Sequence, residues 1–493
     1  MNRFEIDTYA THYEINGYVM NACMELEYAL STYDEIYFRR DYYTHYDEEN
    51  EILYVPRGVD ADFIEQKTGC PVPRKNQPSN EYKKISFSMT LPPRDDVQKE
   101  AIRFLLGKGE HSYTANASQL VLALIGGGGK TYASVAAMSI IGVKTLVVCH
   151  TDDLRQQWHD RIMKYTNLPS DAIVLFKTSK HLMQYKDISS AATRRLMSNQ
   201  AVYVVTHSLV ASFMKKYGFE AFNDICKNLG IGLKIVDEFH LNFLNTLKLD
   251  YATNINKTFY LSATPGRSDK NDNRVFQTSF HNVYKLKREI ENSNNTMIAI
   301  FDVYKSSLSD VEIAQMYARK MFSIHKYTDV VMRDGFVMTK VIQWVDWLFD
   351  GRADKNHMVM VLSSTIKSND LMAKVISNAF PDLKVTAYHS DNKIPNVEDY
   401  NVVCATIAMV GTGNDYSNLK AIINTEPYRS PVTSDQLPHR LMRGNVGLGT
   451  TYYIDCVDRK IPQTMRMASI RRDIISTFAS KVVTIDPYVK KRG

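Results

Sequence analysis

The chain contains no C-x-x-C pair, and its six cysteines (Cys23, Cys70, Cys149, Cys226, Cys404 and Cys456) are widely scattered. That scatter argues against a zinc site or a disulfide framework and for a reducing compartment. Cys149, Cys404 and Cys456 each sit in an apolar, strand-like run and read as buried thiols. No uncharged apolar run approaches membrane-spanning length, and Met1-Asn2-Arg3-Phe4-Glu5 lacks the apolar core of a secretion signal. No internal repeat of solenoid period is present. A strong charge bias is also missing. The net charge of +6 over 493 residues suits a nucleic-acid binder but does not identify one. With 44% hydrophobic and 23% charged residues, the composition is that of a folded globular chain long enough for two or three domains.

The most informative stretch is residues 120–131. The apolar run Leu120-Val121-Leu122-Ala123-Leu124-Ile125 stops at Gly126, Gly127, Gly128 and Gly129, and Lys130 and Thr131 open a helix-like segment at 132–138. Strand, glycine loop, Lys-Thr and helix form the layout of a phosphate-binding loop. Backbone N–H groups must approach phosphate oxygens closely, so side chains must be absent, and the helix N-terminus adds a positive dipole end. Lys130 would reach the terminal phosphates and the Thr131 hydroxyl would hold Mg²⁺. The full Walker spacing is not met, because Leu124 stands where its first glycine belongs. Taken alone, the stretch is also compatible with a flexible turn.

The surrounding pattern narrows the choice. Strand-like runs at 143–149, 172–176, 201–205, 234–237 and 258–262 alternate with helical segments, which predicts a doubly wound parallel α/β domain. Ligands in such domains collect at the carboxyl ends of strands. At those ends lie His150-Thr151-Asp152-Asp153, Thr206-His207, Asp237-Glu238 and Ser262-Ala263-Thr264. Asp237 would hold Mg²⁺ through water, and Glu238 would orient or deprotonate an attacking water. Gln98, just ahead of this domain, offers an acceptor and a donor together, as an adenine edge requires.

Residues 1–85 differ from the rest. They are rich in tyrosine and read as a small α+β module, with a strand at 51–55, a proline-rich linker at 70–82 and a strand at 83–89. Most of the tyrosines read as core, although Tyr/Arg mixtures can also stack on nucleic acid. The polar segment 266–300 reads as an irregular linker. Helices are expected at about 309–326 and 335–350, the latter with a core-facing stripe. A second alternation follows, with strands at 357–362, 384–389, 402–406 and 419–424. The last strand is placed at 451–456, before a basic helix at 464–480. This half has no glycine loop of its own.

Taken together and in order, these clusters resemble the motor core of superfamily 2 helicases over residues 90–480. The glycine loop resembles motif I, Asp237-Glu238-Phe239-His240 the DExH form of motif II, and Ser262-Ala263-Thr264 motif III. Gly411-Thr412-Gly413-Asn414-Asp415 is similar to motif V. Gln436-Leu437-Pro438-His439-Arg440-Leu441-Met442-Arg443 is similar to motif VI, with His439 in place of its glycine. The similarity extends to the DExH branch-migration helicases of tailed bacteriophages (UvsW type), whose N-terminal module the stretch Tyr54-Val55-Pro56-Arg57-Gly58 resembles.

The resemblance implies two tandem RecA-like domains, at 86–290 and 291–493, behind a DNA-binding accessory domain at 1–85. It implies ATP and Mg²⁺ as cofactors, with Lys130, Asp237, Glu238, His240, Gln436, Arg440 and Arg443 as the hydrolytic set. Gln98, Gly413 and Asp415 join the glycine loop in holding nucleotide. Thr151, Thr206, His207, Ser364 and Thr412 would grip the phosphate backbone of branched, forked or duplex DNA. A monomer in the cytoplasm of a bacterial host is expected, with no membrane partner. Three alternatives stay open: an RNA-directed or transcript-releasing motor, a non-hydrolysing nucleic-acid-binding module, and a small-molecule kinase. The second domain's clusters and the intact acids and arginines argue against the last two.

Overall fold

The computed structural model describes residues 4–17, 24–34, 39–124, 128–262, 270–288, 296–318, 321–392, 394–411, 416–428, 431–442, 448–476 and 478–488. The chain divides into two compact units, Met1–Glu289 and Ile290–Gly493.

Strands made of unbroken apolar runs must be covered on both faces, which favours a parallel sheet sandwiched by helices. The first unit is built this way. Among the described residues, seven parallel strands lie in the order Tyr284–Arg288, Gln119–Leu124, Lys257–Ser262, Leu233–Asp237, Thr145–Cys149, Val202–Thr206 and Ile173–Leu175. One strand therefore separates the strand that leads into the glycine loop from the strand that ends in Asp237. Alternation divides the side chains between two cores. Leu120, Leu122 and Leu124 pack with Phe104, Ala133 and Ala137 on one face, and Val121 and Ala123 join a core on the other.

That second core is shared with the N-terminal module. Its antiparallel sheet runs Glu5–Thr8, His12–Asn16, Ile52–Pro56, His45–Asp47. Ile6, Tyr13, Ile15, Leu53 and Val55 pack in the same cluster as Phe239, Phe243 and Phe276. A buried polar seam reinforces the junction. Lys234 Nζ donates to Asp250 Oδ1 (2.6 Å), Tyr260 Oη donates to Asp250 Oδ2 (2.7 Å), and Gln119 Nε2 donates to Tyr260 Oη (2.7 Å) and to the Thr11 carbonyl (3.3 Å). Gly58 meets the larger sheet domain so closely that a Cβ there would lie 2.4 Å from the Ser279 carbonyl oxygen. The module is thus continuous with the first sheet's packing.

The second unit repeats the plan. Among the described residues, seven parallel strands run Val385–Tyr388, Val402–Ala405, Met358–Leu362, Leu419–Asn424, Thr451–Asp458, Met297–Tyr304, Lys481–Ile485. Separate apolar cores cover its two faces. The two sheets are RecA-like domains in tandem, preceded by the small antiparallel sheet.

Four local expectations fail. Residues 83–89 form no strand. Lys84 and Met89 make single bridges to Val143 and Thr166, and the amides of Lys83 and Ile85 bond the carbonyls of Gly230 and Gly142. The segment straps across helix ends, where no neighbouring strand can extend a ladder. The supposed linker 266–300 contains the helix Lys270–Ser279, the edge strand Tyr284–Arg288 and the start of Met297–Tyr304. Its polarity comes from a helix that buries Val275 and Phe276 and from lysines on a sheet edge, where charge discourages further pairing. The expected helix at 309–326 is the capped helix Asp310–Gln315, a short hairpin (Tyr317–Ala318 with Met321–Phe322) and the start of Ile324–Asp334. Finally, Thr451–Asp458 is not the last strand, because the half-exposed edge strand Lys481–Ile485 follows the helix Pro462–Ile475.

Candidate nucleotide site and nucleic-acid face

The helix Lys130–Ile141 begins without any side-chain cap. Its N-cap is Gly129, at φ 85°, a left-handed conformation that glycine adopts without strain. Space makes the same demand, because a Cβ on Gly129 would lie 2.4 Å from Gln98 Nε2. The N-cap glycine has no side chain to offer the first-turn amides of this helix, and a helix N-terminus of that kind favours anions. Gln98 is buried beside the loop. Its backbone N–H bonds the capping Asp95 (2.8 Å), and its Oε1 accepts the Arg94 amide (2.8 Å). Lys130 Nζ donates to the Leu124 carbonyl at the strand tip (2.9 Å) and lies 3.7 Å from Glu238 Oε1. Gly126 and Gly127 lie outside the described residues.

Asp237 ends its strand buried, and its Oδ2 accepts the indole N–H of Trp158 (2.8 Å). Burial first, and then the neighbouring Glu238 charge, hold the Asp237 carboxyl above the usual carboxylate range, while the Trp158 bond acts the other way. Glu238 adopts φ 45°, one of only two described non-glycine residues with positive φ. Such backbone strain persists where the surrounding structure fixes it, and functional sites are where it concentrates. From Glu238 a polar chain continues. Glu238 Oε2 lies 3.5 Å from His240 Nδ1, which hydrogen-bonds Ser262 Oγ at 2.9 Å. At the neighbouring strand end His150 Nδ1 hydrogen-bonds Asn242 Nδ2 (2.5 Å), and burial lowers its pKa. Thr131 Oγ1 accepts from Arg161 Nη1 at 3.0 Å.

The hard oxygens of Thr131 and Asp237, gathered beside Lys130, suit Mg²⁺, which takes few protein ligands and completes its shell with water and phosphate oxygens. Among the described residues, no group of three or more His, Cys, Asp or Glu could hold a metal ion by itself.

The predicted nucleic-acid residues divide. Thr151 caps the helix Asp152–Tyr165 by accepting the Leu154 amide (3.3 Å) and is partly exposed. Thr206 caps the helix His207–Leu229 in the same way, but its side chain is buried. His207 departs from expectation. It is 2% exposed, its Nε2 has no hydrogen-bond partner, and burial followed by the His150 charge pushes its pKa down to about 3. A neutral, buried imidazole offers phosphate no cation, so this strand end has a helix N-terminus to present in place of a charged side chain. Ser364 is half-buried and hydrogen-bonded to the Thr328 hydroxyl. Arg440 is buried in the 3₁₀ turn Arg440–Met442 that follows the helix Pro431–His439. The His439 imidazole stacks on Phe478 at 3.9 Å, so a side chain fits where the motif VI resemblance expects glycine. Thr264, Thr412, Gly413, Asp415, Arg443 and the Gln436 side chain lie outside the described residues.

Sequence reading missed Arg161 and gave Trp158 no role. Both fall on one face of the helix Asp152–Tyr165, three residues apart, and the spacing was the available signal.

An uncapped glycine–lysine–threonine helix start thus lies beside an acidic strand end, on the first of two tandem RecA-like sheets. Residues 92–267 match the family described as type III restriction enzyme, res subunit. The match takes in the glycine loop and Asp237-Glu238 and covers 176 of the chain's 493 residues. No curated protein sequence matches it.

Among solved structures, the chain is similar to UvsW of T4, at 14% identity over 98% of this chain and 99% of that one, with a TM-score of 0.38. It is similar to S. cerevisiae Dbp5 bound to RNA and ADP BeF3, at 13% identity over 79% and 89%, with a TM-score of 0.49. A Dbp5 variant bound to Gle1 and IP6 aligns at 13% identity over 80% and 89%, with a TM-score of 0.50, a likeness of fold alone. Among the described residues, no helix is long and apolar enough to cross a membrane.

Proposed function

We propose that this chain is an ATP-dependent helicase or translocase of the DExH kind that moves on branched, forked or duplex DNA. The observation that supports this best is the meeting of Lys130, Thr131, Asp237 and a strained Glu238 beside an uncapped helix N-terminus. In this reading residues 126–129 and the first-turn amides bind the phosphates, and Lys130 leaves the Leu124 carbonyl for the terminal phosphate. Thr131 and Asp237 hold Mg²⁺, which when bound supplies positive charge to the phosphoryl oxygens. Glu238 orients the attacking water and accepts its proton, and Gln98 faces the adenine. Gln436, Arg440 and Arg443, with Gly413 and Asp415, are the second unit's hydrolytic and nucleotide-binding residues in this reading.

The Glu238–His240–Ser262 chain carries the state of the nucleotide toward Thr264. Thr151, Ser364, Thr412 and the helix start at Thr206-His207 contact backbone phosphates, which makes binding sequence-independent and salt-sensitive. The working organisation is an accessory DNA-binding part at 1–85 and motor domains at 86–290 and 291–493, acting as a monomer in the host cytoplasm. The motif resemblance to phage branch-migration helicases favours DNA.

The test is ATPase and unwinding on forks, Holliday junctions and RNA duplexes, for the wild type and Glu238→Gln. Stimulation is expected to be greatest with branched DNA, and the variant should not unwind. Greater stimulation by RNA would replace DNA as the track, and unwinding by Glu238→Gln would remove the role given to that carboxylate.

A further inference from the structure

Two side chains from one helix sit on the two groups expected to hold the divalent cation. On Asp152–Tyr165, Trp158 Nε1 donates to Asp237 Oδ2 (2.8 Å) and Arg161 Nη1 donates to Thr131 Oγ1 (3.0 Å). Spacing of three residues puts both on one helix face. Trp158 is 1% exposed and cannot swing away, so it fixes the register of the helix against the carboxylate. Arg161 is half-buried, on a longer and more flexible stem. Its charge also acts on Asp237. Asp237 and Glu238 are adjacent acids, and Lys130 is the cation that pairs with Glu238. Gathering two carboxylates out of water calls for further positive charge.

Resting on the reading of this site as a nucleotide site, we propose that Arg161 is its resident cation. It fills the Thr131 hydroxyl and balances Asp237 when no divalent ion is bound, and it supports nucleotide binding in the absence of Mg²⁺. A guanidinium suits this role because it is always charged and its planar donors match hydroxyl and phosphate oxygens alike. The arginine and a metal ion compete for the same Thr131 oxygen lone pairs and repel one another. Arrival of the metal therefore displaces Arg161 from Thr131 and takes over its charge.

The test is calorimetric titration of ADP into the full chain, with Mg²⁺ and with EDTA, for the wild type, R161A and R161K. Loss of one charge-assisted contact is expected to weaken ADP binding by about tenfold or more in EDTA for R161A. Its affinity with Mg²⁺ should stay within about threefold of wild type, and R161K should fall between. R161Q, which keeps amide donors but no charge, replaces R161A if melting shows the latter unfolded. Equal weakening in both buffers would make Arg161 a packing residue and overturn the proposal, as would unchanged binding in EDTA. Failure of the wild type to bind ADP even with Mg²⁺ would overturn the nucleotide-site reading itself, and this proposal with it.

Discussion

The two RecA-like units make the same turn, from a buried central strand into a helix, and finish it differently. In the first unit, Gln119–Leu124 leads to Lys130–Ile141 through glycine, and no side chain caps the helix. In the second, Met358–Leu362 leads to Ile366–Ala379, and Thr365 and Ser368 cap each other's amides at 3.1 and 3.2 Å. Ser363 beneath them bonds Ser368 and Asn369 (2.8 and 2.6 Å). The helix dipole is available at both helix starts, but in the second unit side chains already hold the Thr365 and Ser368 amides. Of these two helix starts, the one without a side-chain cap is the one that follows the glycine loop.

The sharpest way to break this contrast is Lys130→Ala. Nucleic-acid-stimulated ATPase should fall by about 10³-fold, the scale of losing a principal phosphate-stabilising charge. Retained turnover would show that the glycine loop is not the working site. Glu238→Gly separates stability from chemistry at the facing acid. Relief of the positive φ should raise unfolding free energy by about 1 kcal/mol in urea titrations while hydrolysis is lost. A destabilised variant would mean that the carboxylate's contacts outweigh its strain.

In the second unit, Thr365→Ala should cost about 1 kcal/mol of stability with little change in ATPase, because there the cap only holds a helix. A large ATPase loss would give that turn a role beyond capping.

A pH-dependent effect concerns Glu426, which follows the strand Leu419–Asn424. It is buried, its Oε1 has no hydrogen-bond partner, and burial pushes its pKa up to about 8, against the opposing effect of Arg471. The folded chain holds this proton after the unfolded chain has released it. Stability is therefore fully present below about pH 4.5 and declines until pH passes about 8. Glu426→Gln should remove that decline, so its melting temperature relative to wild type should climb between pH 5 and pH 8. A constant offset would place the carboxyl's ionisation elsewhere.

Local spacing made much of this legible. Unbroken apolar runs marked the central strands, and polar clusters at their carboxyl ends marked Asp237, Glu238, Thr151 and Thr206. Segments where burial is one-sided or the edge is charged, such as Lys270–Ser279, Tyr284–Arg288 and Lys481–Ile485, were read as linker or missed, because their composition is that of a surface. At 83–89 alternation suggested a strand, but a strand also needs a neighbour, and none was there.

The primary structure fixes which strands are buried, where glycine frees a helix start, and which acids end which strand, because those properties depend on a few neighbouring residues. Four further facts depend on packing between distant parts. Trp158 reaches Asp237, 79 residues away, and Arg161 reaches Thr131, 30 residues away. His207 is turned inward and held neutral, although its sequence position suggested a phosphate contact. Gly129 must be glycine because Gln98, from the helix Asp96–Leu106, occupies the space of its Cβ. Each is set by which helix faces cover the sheet edge, and sequence spacing alone cannot specify that.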